Sequence, residues 1–125
     1  MANQEVNMKV VYASRTGNVQ LMIDQLLISE SLQIKTGKEI VSEPYLLFTY
    51  TDGYGEVPIE VSDFLTNNSN FIQGVIVSGD KGYGEAFCKA GDIISQEFDV
   101  PCLYRFENNG TDADVSAIQD IIDNV

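Results

Sequence analysis

The sequence contains no histidine. That removes the commonest zinc ligand and the usual general base of a hydrolytic triad, so zinc hydrolase and histidine-dependent esterase chemistry are poor candidates. Cysteine occurs twice, as Cys88 and Cys102. The two form no metal-ligand pattern and suit a reducing compartment, which makes the expected location cytoplasmic. Cys88 invites a reading as a redox thiol, but both cysteines lie in apolar periodic segments and packing is the expectation. No stretch approaches the apolar length needed to cross a membrane, and Met1-Ala2-Asn3-Gln4-Glu5-Val6-Asn7 is polar rather than signal-like. Residues 1–7 read as a frayed lead-in, with Met8 an alternative start.

Basic residues are scarce as well. Against 19 Asp and Glu there are 7 Lys and Arg, a net charge of −12. Such a surface repels a nucleic-acid backbone. It fits a basic partner protein and equally fits plain solubility. What is present is ordinary for a globular chain: 125 residues, 44% hydrophobic and 21% charged. That length allows one domain with a real core, expected over residues 8–125, and is too short for two.

Met8-Lys9-Val10-Val11-Tyr12-Ala13 reads as a buried strand. Ser14-Arg15-Thr16-Gly17-Asn18 follows, and then Val19, Met22, Ile23, Leu26 and Leu27 recur at helical spacing. A loop between a parallel strand and a helix receives the free N–H groups of that helix. Ser14, Thr16 and Asn18 add side-chain donors, and Gly17 permits close backbone approach. A phosphate fits there; an ordinary capped βα turn uses the same residues.

Further on, Leu32-Gln33-Ile34-Lys35-Thr36 alternates like a half-exposed edge strand, and Tyr45-Leu46-Leu47-Phe48-Thr49-Tyr50 is a continuous apolar strand. Only Gly37 to Glu43 separates them, too few residues for a standard crossover helix. Either the second strand begins earlier, over residues 28–31, or the connection is irregular. Thr51-Asp52-Gly53-Tyr54-Gly55-Glu56 forms a second loop, and Pro58 suits the first turn of a helix carrying Val57, Val61, Phe64 and Leu65. Phe71 to Ser78 is the fourth strand. After it come a third loop, Gly79-Asp80-Lys81-Gly82-Tyr83-Gly84-Glu85, and a helix traced by Ala86, Phe87, Ala90, Ile93, Ile94 and Phe98. Val100 to Phe106 is the last strand. Asn108-Asn109-Gly110 turns, and Thr111 with Asp114 makes a capping box for a helix bearing Val115, Ile118, Ile121 and Ile122.

Five strands separated mostly by helices make an α/β fold, a doubly wound parallel sheet with helices on both faces. In the order 2-1-3-4-5 the three loops meet over the switch point, where such sheets bind ligands. Tyr54 and Tyr83 sit centrally in glycine-rich loops and are candidates to stack on a flat ring. Asp52, Glu56, Asp80 and Glu85 surround them, with Lys81 the one basic residue in those segments, so a negative rim is expected. One small anion site without G-x-G-x-x-G points to a mononucleotide rather than a dinucleotide.

The first segment, through Val19, looks like the phosphate loop of flavodoxins. Together with Phe48 to Pro58, Ser78 to Gly84 and Phe106-Glu107-Asn108-Asn109-Gly110-Thr111, it resembles the NrdI family, flavodoxin-like accessory proteins of class Ib ribonucleotide reductase. The resemblance implies a flavodoxin-like fold of the short-chain kind and non-covalent FMN. It implies a redox accessory protein rather than a turnover enzyme. Reduced flavin reacts with molecular oxygen, and the oxidant passes to the manganese centre of the reductase small subunit to help form its tyrosyl radical. By the same resemblance Ser14, Arg15, Thr16, Gly17, Asn18 and Val19 surround the phosphate. Thr49, Tyr50, Thr51, Asp52, Gly53, Tyr54 and Gly55 lie beside the ring, and Gly79, Asp80, Gly82, Tyr83 and Gly84 on its far side. A general flavodoxin electron carrier shares fold and cofactor. A response-regulator-like signalling domain needs an acidic cluster after the first strand, where this chain has Tyr12-Ala13-Ser14-Arg15.

Overall fold

A computed structural model describes residues 8–125, so the expected frayed segment 1–7 lies outside the described residues. Five strands form one parallel sheet: β1 (Lys9–Tyr12), β2 (Ser31–Gln33), β3 (Tyr45–Tyr50), β4 (Ile72–Gly79) and β5 (Cys102–Glu107). The order is β2-β1-β3-β4-β5, as the sequence predicts. Among the described residues four α-helices accompany them: α1 (Asn18–Asp24), α2 (Ile59–Asn68), α3 (Lys89–Phe98) and α4 (Asp112–Asp123).

The strands read as unbroken apolar runs because both faces of the sheet are covered. Alternate residues point to opposite faces. Val10, Tyr12, Leu46 and Phe48 therefore pack with Met22 and Ile23 of α1 and Ile118 and Ile122 of α4. Val11, Ala13, Tyr45 and Leu47 pack with Val61, Phe64 and Leu65 of α2 and Ile94 of α3. Each such side chain fully withdrawn from water contributes about 1.5–3 kcal/mol. Helix α4 opens on the expected capping box: Thr111 Oγ1 accepts from the Asp114 N–H, and the Asp114 carboxylate accepts from the Thr111 N–H.

Several boundaries differ from the sequence reading. Helix α1 stops at Asp24; Leu26 is still buried, but Leu27, expected on the inward face, is exposed. Its backbone is drawn off the helix by Gln119 of α4, which takes the Leu27 N–H at 2.8 Å and donates to the Leu27 carbonyl at 3.2 Å. Strand β2 starts at Ser31, earlier than Leu32, and ends at Gln33 rather than Thr36. Pro58 is the N-cap of α2, just outside the helix, and its carbonyl receives the N–H groups of Val61 and Ser62. A 3-10 turn over Lys81–Ala86 occupies most of the third loop, so α3 begins at Lys89 rather than at Ala86. Strand β5 begins at Cys102 rather than Val100.

The connection between β2 and β3 contains no helix. It crosses β1 on the face of α2, where Ile34 and Val41 are buried with the α2 residues. Two side chains take over the hydrogen bonding a helix would have internalised. The Glu39 carboxylate accepts the N–H groups of Lys35, Thr36 and Gly37 at 2.8, 3.0 and 2.9 Å. Buried Asn68 accepts from the Val41 N–H and donates to the carbonyls of Glu39 and Phe64, all at 2.9 Å.

Candidate functional site

The carboxyl ends of β1, β3, β4 and β5 enclose a cleft of about 280 Å³ at the switch point of the sheet. This lies at the small end of ligand clefts, which span about 300–1,000 Å³. Arg15, Thr16 and Asn18 line it from the first loop, and Tyr50, Thr51 and Gly53 from the second. Ser78, Gly79, Asp80, Tyr83 and Ala86 line it from the end of β4 and the third loop, and Asn108 from the turn after β5.

The first loop turns through Gly17, whose φ of +97° places it in the left-handed region. A side chain there would meet no atom within 4 Å, so glycine is needed for its backbone conformation and not for space. The capping role falls to Ser14, whose Oγ accepts the Gln20 N–H at 3.2 Å. The Leu21 N–H reaches the Gly17 carbonyl at 2.9 Å. Among the described residues the N–H groups of Thr16, Gly17, Asn18 and Val19 meet no protein acceptor. Four successive free amides with the Thr16 hydroxyl and Asn18 amide beside them form an anion-accepting concavity. A helix of 7 residues adds little dipole, so the amides and side chains themselves carry the attraction.

The second loop is a tight turn. Asp52 and Glu56 exchange both backbone hydrogen bonds at 2.8 Å, and the Gly55 N–H also reaches the Asp52 carbonyl. The Asp52 carboxylate is engaged by Arg15 at 2.6 Å. Arg15 in turn lies over the Tyr50 ring, 5.0 Å from its centroid, and the Tyr50 hydroxyl donates to Glu60 at 2.6 Å. The hydrogen bond to Asp52 raises the Arg15 pKa, while burial and then Glu60 push the Tyr50 phenol upward, so Arg15 stays a cation and Tyr50 neutral.

The third loop is closed by the Asp80 side chain on the Gly82 N–H at 2.8 Å. The cleft floor is stitched by three further bonds: Thr51 Oγ1 to the Ser78 carbonyl, Ser78 Oγ to the Asn108 carbonyl, and the Asn108 N–H to the Gly79 carbonyl. Tyr54 and Tyr83 are both exposed and meet each other edge to face, centroids 5.2 Å apart. Tyr83 lines the cleft; Tyr54 packs on the outside of Tyr83.

Nine of the expected residues line the cleft: Arg15, Thr16, Asn18, Tyr50, Thr51, Gly53, Gly79, Asp80 and Tyr83. Ser14, Gly17, Asp52, Tyr54, Gly55, Gly82 and Gly84 lie in the same loops and shape them. Val19 and Thr49 are buried and do not line the cleft. Sequence reasoning missed Ser78, Ala86 and Asn108 as lining residues. The Asn108-Asn109-Gly110 turn was the available signal, since Asn108 adopts a left-handed φ of +54° where β5 ends beside β4.

The acidic rim needs correction. Glu56, Asp80 and Glu85 are exposed, but Asp52 is paired with Arg15, and the Lys89 stem packs against Gly55. Two cations from other segments thus join Lys81. Cys88 is buried at the N-cap of α3, its Sγ near the carbonyls of Val77 and Phe106, and burial pushes its thiol up to about 12. A thiol of that pKa holds little thiolate at neutral pH.

The family model for NrdI flavodoxin-like proteins matches residues 10–120. The chain belongs to that family. Its fold also matches solved flavodoxins. A short-chain flavodoxin associated with a PDU bacterial microcompartment superposes with a TM-score of 0.71 at 22% identity, covering 92% of this chain and 93% of that one. A Fusobacterium nucleatum flavodoxin mutant bound to flavin mononucleotide gives 0.59 at 20% identity, over 73% of this chain and 61% of the other. The same organism's flavodoxin bound to flavin mononucleotide gives 0.53 at 18% identity, over 78% and 67%. Among the described residues no helix of this NrdI-family chain is long and apolar enough to cross a membrane, and no cluster of acidic or cysteine side chains could hold a metal ion.

Proposed function

We propose that this NrdI-family chain binds one FMN at the cleft and serves as a redox accessory protein for the class Ib ribonucleotide reductase small subunit. The observation that carries the cofactor reading is the run of N–H groups from Thr16 to Val19 that meet no protein acceptor among the described residues, in the loop whose Arg15, Thr16 and Asn18 line the cleft. A phosphate monoester satisfies them, with the Thr16 hydroxyl and Asn18 amide adding donors. A pyrophosphate has no second cradle, which favours FMN over FAD. The remaining walls, Tyr50, Thr51, Gly53, Gly79, Asp80 and Tyr83, combine flat aromatic surface with accessible backbone, the groups a planar heterocycle uses for packing and hydrogen bonding.

Bound FMN supplies the redox chemistry; the chain binds and orients it. Ser14 holds the start of α1 in place through the Gln20 N–H, so the loop that carries the free amides is fixed before any ligand arrives. The floor bonds among Thr51, Ser78, Gly79 and Asn108 fix the spacing between the second and third loops. No side chain is needed as nucleophile or general base. Molecular oxygen and the reductase small subunit are the expected partners of the reduced protein. The exposed carboxylates Glu56, Asp80 and Glu85 suit a docking face that is locally basic.

An absorption spectrum of the purified protein, an anaerobic dithionite titration and chromatography of the flavin released on denaturation test the cofactor. FMN in equimolar amount is the expected result; FAD, or no flavin after reconstitution, overturns it. Association with the manganese-loaded small subunit, followed from low to moderate ionic strength, tests the partner. Glu56→Lys or Glu85→Lys is expected to slow association and flatten its salt dependence with FMN still bound. A wild-type rate indifferent to salt removes the steering argument, and absence of binding leaves a general flavodoxin carrier.

A further inference from the structure

The turn at 52–56 is internally closed, since the Asp52 N–H and carbonyl provide its three backbone bonds. It can therefore shift as a unit, and what fixes it to its surroundings is side-chain contact. At its base Asp52 is held by Arg15 of the first loop at 2.6 Å. At its tip Tyr54 rests edge-on against Tyr83 of the third loop. Arg15 is not a loose partner: its guanidinium lies on the Tyr50 ring, and Tyr50 is anchored to Glu60 of α2. Gly53, with φ +50°, sits between base and tip and gives the turn the left-handed backbone that its closure uses.

We propose that the Arg15–Asp52 pair is a positioning element that pins the base of the 52–56 turn to the first loop and so keeps Tyr54 against Tyr83 at the edge of the cleft. Gly53 of this turn lines the cleft together with Thr16 and Tyr83, so the pair, by holding the turn in place, slows the release of a ligand held there. The inference rests on the FMN reading only for that second step. An exposed ion pair contributes little by itself. Here the aromatic platform removes much of the entropy of holding Arg15 in one geometry, and the pair acts on the turn through position rather than through its own strength.

Two measurements test it, the first without flavin. In the flavin-free protein, Asp52→Asn and Arg15→Gln are each expected to weaken the NMR cross-peaks between the Tyr54 and Tyr83 rings by about twofold or more, and the double variant no further. Unchanged cross-peaks in both single variants overturn the pinning, whatever the cofactor. In the FMN-loaded protein, Asp52→Asn is expected to speed flavin release about threefold to fivefold, while Asp52→Glu, which keeps the carboxylate, stays near the wild type. Release unaltered by Asp52→Asn, or accelerated equally by Asp52→Glu, overturns the positioning role. A wild type that binds no flavin overturns the FMN reading instead and leaves the cross-peak result standing.

Discussion

Two neighbouring strands, β1 and β2, end at the same edge of the sheet and hand the chain to two very different loops. After β2 the chain finds its own anion: the Glu39 carboxylate gathers the N–H groups of Lys35, Thr36 and Gly37, and Asn68 ties down the remainder. After β1 the N–H groups of Thr16 to Val19 find no such partner among the described residues. Backbone donors in both places need an acceptor, whether from the protein, from a ligand or from water. One loop meets that need internally and becomes structure. The other leaves it open and becomes a site.

That contrast can be broken from either side. The largest effect is expected at Asn68, which is buried and makes three hydrogen bonds at 2.9 Å. Asn68→Ala leaves the Val41 N–H without a partner and should lower stability by about 2–4 kcal/mol, read as a lower urea midpoint with unchanged slope. A loss near zero would mean that water replaces the side chain and that the connection is not closed from within.

On the open side, Thr16→Ala removes one donor to the phosphate and should weaken FMN binding by about 1.5–3 kcal/mol. A change under about threefold in affinity would leave Thr16 a wall residue only. Isothermal titration of flavin-free protein gives the number directly.

Glu39 offers a smaller effect with a distinctive pH signature. Partial burial pushes its carboxyl upward, but the N–H groups of Thr36, Lys35 and Gly37 outweigh that and hold it at about 2. A carboxyl depressed on folding contributes stability above its unfolded value of 4.5 and loses it as pH falls through about 2. Glu39→Gln should therefore cost about 1 kcal/mol at neutral pH, since water can reach part of this loop, and the difference from the wild type should vanish toward pH 2. A difference that is constant with pH would assign the effect to shape and not to charge.

The smallest effect is expected at Tyr54→Ala. Tyr54 is 80% exposed and its edge contact with Tyr83 is worth about 0.5–1.5 kcal/mol. Tyr83→Ala, at the cleft wall, should relieve quenching of flavin fluorescence more than Tyr54→Ala does. The reverse order would place Tyr54 on the ring.

How much of this was legible beforehand follows the physics of each region. The apolar runs of β1, β3 and β4 and the capping box at Thr111 carry their reasons locally, whereas the sheet order came with the flavodoxin-like fold class and not from any one run. Strand β2 is an edge strand with only partial burial, so its alternation was too weak to fix its start. The end of α1 was invisible because Leu26 and Leu27 continue the helical spacing, while the contact that pulls Leu27 away comes from Gln119, 92 positions on. Arg15 and Asp52 were each in a predicted loop, but their pairing spans 37 positions and turned an expected free acidic rim into a partly neutralised one. Asn108 entered the cleft through the adjacency of β4 and β5, which the strand order implied without naming the residue.

Everything proposed for the cleft turns on the free amides after β1 being a phosphate site. Titrating flavin-free protein with FMN and with riboflavin, and following flavin fluorescence, tests it most directly. One equivalent of FMN is expected to bind with quenching, and riboflavin, identical but for the phosphate, to bind at least about a hundredfold more weakly, since several charge-assisted hydrogen bonds are lost together. Equal affinity for the two, or no binding of either, would contradict it.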